Sequence, residues 1–165
     1  MSDPEPDREP DPAPSSTRTI RHRSVVDVYV LFYNDNGQVL LLERANTGYA
    51  DGQLCPVSGH LEEGESVVAG ALREAAEEVG VAIDPGDLTF THVVHHRSPE
   101  GEGRIGVFFT ALRWTGEPYN AEPQKCAGLY WVDPAALPAH TVPYTAAALA
   151  QITLARPFSL DGWDR

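Results

Sequence analysis

Three acids stand where a helix end ordinarily carries bases. In "LREAAEEVG", residues 72–80, Glu74, Glu77 and Glu78 occupy the last turns of a predicted helix that stops at Gly80. A helix C-terminus carries roughly half a negative charge and favours Lys, Arg or His. Glu74 and Glu78 also form an i, i+4 like-charge pair, unfavourable by roughly a few tenths of a kcal/mol. No Lys or Arg follows within that turn. Most Glu-rich helix faces are simply solvated, but they seldom combine these features. A hard divalent cation would offset the repulsion, because Mg²⁺ and Mn²⁺ select carboxylate oxygens. The expected chemistry is metal-assisted work on an anionic substrate.

A wider window makes this specific. In "GHLEEGESVVAGALREAAEEVGV", Gly59 to Val81, the residues Gly59, Glu65, Arg73, Glu74, Glu77, Glu78 and Gly80 stand at set intervals. The run resembles the signature of the Nudix hydrolase family, and of its MutT-like group, at every fixed position. At about 6% usage each, seven such matches arise by chance in roughly one window in 10⁸ to 10⁹. Ala75 is a small choice for the motif's first apolar slot, and Val81 fills the second.

The resemblance implies a loop–helix–loop that binds Mg²⁺, or Mn²⁺, and hydrolyses a pyrophosphate bond. The substrate would be a nucleoside di- or triphosphate, or a related nucleoside diphosphate linked to another group. A nucleoside monophosphate-type product follows. Carried over by position, Glu74, Glu77 and Glu78 are metal ligands in the catalytic set, with Glu74 a candidate base. The carbonyl of Ser58 is a further ligand; many members have Gly there. Arg73, also counted in the set, pairs with Glu65 as a staple across the loop–helix junction. An extra acid from a distant loop often completes the metal shell. Glu122, in "GEPYNAEPQKC" just before the last strand, is favoured over Glu100, Glu102 and Glu117.

Metal and carboxylates suit this chemistry for a physical reason. A pyrophosphate repels nucleophiles on every side; a cation screens that charge and aligns attack and departure. Arg44, at the end of a predicted strand, and His60, beside the motif's first Gly, are candidate phosphate contacts. Arg97 and Arg104 flank a hairpin turn and rank lower. Tyr49 is the favoured aromatic for stacking on a base, ahead of Trp114 and Tyr119; Trp131 reads as core. His95 and His96 receive no role. A catalytically inactive nucleotide-binding or regulatory domain is the alternative reading, but such domains usually lose a motif acid. An isoprenoid diphosphate isomerase would need a reactive Cys–Glu pair, for which only Cys55 is near the loop.

The elements that must position these residues can be read along the chain. Residues 24–33 and 38–45 read as strands around the turn signal "NDNG". Residues 46–65 read as a long functional loop with a short strand. Residues 66–79 form the clearest helix, with Val68, Leu72, Ala75 and Val79 as its buried stripe. Gly80 suits the left-handed position past its end. Further strands are expected at 88–98, 103–114 and 128–133, and a last helix at 143–155. The expected fold is a single α/β Nudix domain over 20–157: a mixed β-sheet sandwiched between helices. The acidic, Pro-rich residues 1–19 are expected to be disordered, and 158–165 to be a C-terminal tail.

Composition bounds the remainder. The net charge of −12 argues against a nucleic-acid partner, which would demand dense Lys and Arg. Among twelve basic residues, Lys125 is the only Lys. No apolar run approaches the ~18 residues that span a membrane, and no secretory h-region opens the chain. Cys55 and Cys126 form no CxxC pair and read as thiols in a reducing cytoplasm. The expected partner is a small-molecule nucleotide. A homodimer is compatible with the family, whose small members often pair.

Overall fold

The computed structural model describes residues 21–164. The acidic segment expected to be disordered, residues 1–19, lies outside the described residues. The order of elements begins β1 (Val25–Leu31), β2 (Val39–Arg44), β3 (Leu54–Cys55), β4 (Val57–His60) and α1 (Val67–Val79). It continues β5 (Leu88–Arg97), β6 (Gly103–Ala111), β7 (Cys126–Val132), α2 (Pro143–Thr153) and β8 (Phe158–Asp161). The chain forms a mixed sheet covered by helices, as the sequence predicts.

Five strands form one sheet in the order β4-β1-β6-β5-β8, and three form another in the order β3-β2-β7. The pairs β1–β6 and β5–β8 are parallel, and the other pairs are antiparallel. β1 explains the layering. Its run "VVDVYVL" is apolar on alternate sides because both faces are covered. Val28, Val30 and Phe32 join Ala71, Ala75 and Val79 of α1 in one core. Tyr29 and Leu31 join Ala148 and Leu149 of α2 in the other.

α1 begins and ends as its sequence dictates. Ser66 caps it by accepting from the Ala69 N–H, satisfying a donor that has no partner within the helix. Gly80 closes it at φ 66°. The buried side of α1 is narrower than the expected stripe. Gly70, Ala71, Glu74, Ala75 and Val79 are buried, whereas Leu72 is only half-buried at the margin. Small residues on the contact face let the helix lie close to β1 and β4, and a Leu is too large for that seam.

Two further expectations need correction. Trp131 is 37% exposed rather than core, because β7 is the edge of the three-stranded sheet and leaves one side to solvent. Residues 158–161, expected as tail, form β8 and pair with β5. Three attachments hold this strand. His92 is fully buried and engages the Arg156 carbonyl at 2.7 Å and Ser159 Oγ at 2.8 Å. Trp163 Nε1 donates to the His95 carbonyl, and its ring packs on His95.

Gly80 carries a double constraint. Its left-handed φ disfavours side chains, and a Cβ there would lie 2.1 Å from the Tyr119 ring. We expect Gly80→Ala to lower stability by about 1–2 kcal/mol through the backbone alone, plus a steric part that Tyr119→Ala relieves. Urea denaturation of the single and double variants separates the two contributions.

Candidate active site

A cleft of about 890 Å³ runs from the acidic end of α1 past the edge strand β4 to the β5–β6 hairpin. Its size falls within the usual range for small-molecule sites. Glu74, Glu77, Glu78, Ser58, Gly59, His60, Arg44, Tyr49 and Glu122 all line it. The structure thus brings together the candidate residues read from the sequence. Trp114 and Tyr119 are elsewhere: Trp114 packs edge-on against Phe32, and Tyr119 covers Gly80. Glu100 and Glu102 also reach the cleft; Glu117 and Arg97 do not line it.

Arg73 organises the acidic end. Nε donates to Glu65 Oε2 at 3.1 Å, and Nη2 to Glu65 Oε1 at 2.7 Å. Nη1 donates to Glu74 Oε1 at 2.6 Å and Glu77 Oε2 at 3.2 Å, and Nη2 also reaches the His60 carbonyl at 3.1 Å. A guanidinium has five N–H donors, so these five bonds leave none for a substrate. Arg73 is a positioning residue in this arrangement, tying the loop, β4 and α1 together.

Glu74 is buried against β4, not merely clear of the apolar stripe as its spacing suggests. Its carboxylate lies directly over Gly59, where a Cβ would come within 1.8 Å of Oε1. That contact accounts for glycine at the motif's first position. Glu78 accepts the Ser58 N–H at 2.8 Å. Burial, with Glu74 and Glu122 nearby, pushes the Glu78 carboxyl up to about 8, although the Ser58 amide opposes this. Burial raises Glu74 as well, against the pull of Arg73. Glu122 is paired with Lys125, 2.8 Å from Nζ.

The donor types fit a hard cation: carboxylates share a desolvated cleft and raise one another's proton affinity. Their present placement is not a finished cage. Among the described residues, no three His, Cys, Asp or Glu side chains converge on one point suited to a metal. Arg73 engages one oxygen of each of two carboxylates, Glu74 Oε1 and Glu77 Oε2. Cys55, also in the cleft, has its thiol pushed up to about 11 by burial, which does not favour the reactive thiolate an isomerase would need.

Arg44 is held by its own loop. Nε donates to the Tyr49 carbonyl at 2.9 Å, Nη2 to Thr47 Oγ1 at 3.1 Å, and the guanidinium lies 5.6 Å from the Tyr49 ring centre. Asp51 gathers the turn by accepting from the Thr47 and Gly48 amides. On the other wall, sequence reasoning named His60 and Arg104 as candidate phosphate contacts but missed the Asp27 that joins them. Asp27 is 4% exposed and accepts from His60 Nδ1 and, at 3.1 Å, from Arg104 Nη1. The Tyr29 and Tyr144 hydroxyls bond to each other beside it. A buried Asp inside the apolar run of β1 was the available signal.

Comparison with known proteins agrees with this geometry. Residues 23–152 match the NUDIX domain family. An 8-oxo-dGTP diphosphatase of Escherichia coli (strain K12) is 29% identical over 91 residues, 55% of this chain and 68% of the relative. The MutT NUDIX hydrolase of Burkholderia pseudomallei superposes with a TM-score of 0.70 at 27% identity, covering 79% of this chain and 98% of that one. The MutT protein of Methanosarcina mazei Go1 has the same fold, with a TM-score of 0.70 at 20% identity over 82% and 97% of the chains. The chain belongs to the NUDIX family. With its motif acids complete, it is a Nudix pyrophosphohydrolase.

The Arg73 hub sets a measurable cost. Its side chain is 22% exposed, so its ion pairs lie between buried and surface cases. We expect Arg73→Ala to destabilise the fold by about 2–3 kcal/mol in urea denaturation. Arg73→Lys should recover less than half, because an ammonium cannot reproduce the planar fork.

Proposed function

We propose that this protein hydrolyses a pyrophosphate bond of a nucleoside di- or triphosphate, or a related nucleoside diphosphate compound, in the presence of Mg²⁺ or Mn²⁺. The observation that carries this reading is the placement of Glu74, Glu77 and Glu78 on one wall of a nucleotide-sized cleft that Arg44 and Lys125 also line. The E. coli relative is an 8-oxo-dGTP diphosphatase, which makes an oxidised deoxyguanosine triphosphate the first substrate to test.

Glu74, Glu77, Glu78 and the Ser58 carbonyl would hold the cation, with Glu122 as a candidate further ligand. When bound, the cation screens the phosphate charge and favours attack by water. The protein's own groups do the rest. Arg44, with His60 nearby, contacts phosphate oxygens, and Tyr49 stands beside Arg44 at the open side. A carboxylate of the cluster, with Glu74 the candidate, takes the proton of the attacking water. Water forms a bond to phosphorus, the bridging P–O bond breaks, and the departing phosphate retains the bridging oxygen. The free thiols of Cys55 and Cys126 support a cytoplasmic setting. Among the described residues, no helix is long and apolar enough to cross a membrane.

We expect Glu77→Gln/Glu78→Gln to lower kcat/KM by about 10²–10⁴-fold or more. Its melting temperature should hold or rise, since like-charge repulsion is relieved. Chelation of the wild type should stop turnover, and added Mg²⁺ should restore it. Phosphate release measured across nucleotides, with and without added pyrophosphatase, checks this and shows which bond breaks. Wild-type-like turnover in the double variant would remove the acids from the mechanism.

A further inference from the structure

A row of ionisable residues crosses the five-stranded sheet, and His96, Arg104, Asp27 and His60 of it line the cleft wall away from the carboxylates. Asp161 of β8 lies opposite His96 of β5, and His96 lies opposite Arg104 of β6. Asp27 of β1 follows on the diagonal, with His60 of β4 as its partner. Residues directly opposed in a sheet present side chains on the same face, about 4.5–5.5 Å apart at Cβ. The row is bonded in two groups. His96 Nδ1 bonds Asp161 Oδ2 at 2.6 Å. Asp27 takes His60 and Arg104. His96 and Arg104 are therefore neighbours, with no acid between them.

Both have unused hydrogen-bonding capacity facing the cleft. His96 lines it, and its Nε2 has no hydrogen-bond partner among the described residues. Because the Asp161 carboxylate accepts at Nδ1, the neutral ring carries its proton there and presents a lone pair at Nε2. Arg104 uses only Nη1 on Asp27, so its remaining N–H groups have no partner among the described residues. The ring plane of His96 is set by stacking on Tyr144, 4.6 Å between centres at 20°. An oriented acceptor thus sits beside an oriented donor.

Asp161 itself is held with care. β8 is fixed by both nitrogens of His92 and by the Trp163 indole. Gly162 adopts φ 74° directly after Asp161, where a Cβ would lie 2.2 Å from the Arg97 carbonyl oxygen. β8, Gly162 and Trp163 follow the matched family segment, which ends at residue 152, and their anchors His92, His95 and Arg97 lie within it. Asp161 bears on the cleft only through its bond to His96, which lines it.

We propose that His96 and Arg104 read the nucleobase of the substrate and select a base edge with a ring N–H beside a carbonyl, with Asp161 as the positioning residue that fixes the His96 tautomer. Such an edge gives its N–H to His96 Nε2 and its C=O to Arg104. Guanine, its oxidised forms, hypoxanthine, uracil and thymine carry that edge. Adenine and cytosine place an amino group where Arg104 needs an acceptor, leaving two donors opposed. The inference rests on the nucleotide-hydrolase reading, but binding tests it without turnover.

The experiment is calorimetric titration of the full chain, without metal, with GMP and UMP against AMP and CMP. Wild type should bind the first pair about tenfold more tightly, the equivalent of ~1.4 kcal/mol. His96→Ala and Asp161→Ala should bring the four affinities to within about twofold. Melting temperature should hold in both variants, because β8 keeps its His92 and Trp163 anchors. Ring ¹⁵N shifts of His96 should report the Nδ1–H tautomer in wild type and its loss in Asp161→Ala. The same preference should appear in KM rather than kcat for the triphosphates. Equal affinities in wild type, or an undiminished preference in folded His96→Ala, would overturn the proposal. A preference that survives in Asp161→Ala would remove Asp161 from it. Absence of hydrolysis with the binding preference intact would instead count against the proposed reaction.

Discussion

The site depends on one guanidinium. Arg73 bonds the loop, β4 and the acidic end of α1 at once, through Glu65, the His60 carbonyl, Glu74 and Glu77. Without it, acids would face each other at a helix end that already repels them. The five-donor geometry matters because each N–H has a separate direction and a separate acceptor. It also fixes where the acids of the helix end point. Arg73 orders one oxygen of each of Glu74 and Glu77, so the two carboxylates are held by a single cationic side chain.

Close packing of this acidic end explains the local choice of small residues. A buried carboxylate over β4 requires Gly59, since any side chain there would take the space of Glu74. Close approach of α1 to the sheet requires Gly70, Ala71 and Ala75 on its inner face. The acids are thus brought to the cleft by backbone proximity as much as by helical spacing. The same tight packing raises their proton affinity, because few waters remain to solvate the charge.

The acidic end was legible in the sequence because its residues are local. Glu65, Arg73, Glu74, Glu77 and Glu78 fall within one loop and one helix, and helical periodicity places them without knowledge of the fold. Gly80 marked the end of that helix by cap chemistry, while the Ser66 cap emerged from the structure. The opposite wall was not legible for the converse reason. His96 meets Asp161 and Arg104 only through strand register, and Asp161 of β8 lies 65 positions further along the chain than His96 of β5. β8 itself is four residues long, and its apolar side chains, Phe158 and Leu160, point to solvent. Its sequence therefore lacks the buried alternation that identifies strands. Leu72 and Trp131 were misplaced because hydrophobicity reports a preference for burial, whereas edge position and helix–sheet distance decide it.

The two ends of the cleft are joined by an edge strand, and this constrains what can bind. β4 pairs only with β1 in its sheet, so its outer side is open to the cleft. Ser58 turns its N–H outward to Glu78, and His60 turns its ring to Asp27 two residues later. An extended residue sends its N–H and C=O to the same edge, so the Ser58 carbonyl leaves β4 on the Glu78 side. One strand of four residues therefore addresses both the carboxylates and the buried Asp27 row. The cleft is therefore chemically uneven, with carboxylates towards α1 and hydrogen-bonding groups towards β6. The proposed substrate, a polyphosphate joined through a sugar to a planar base, has a matching asymmetry between an anionic part and a hydrogen-bonding part.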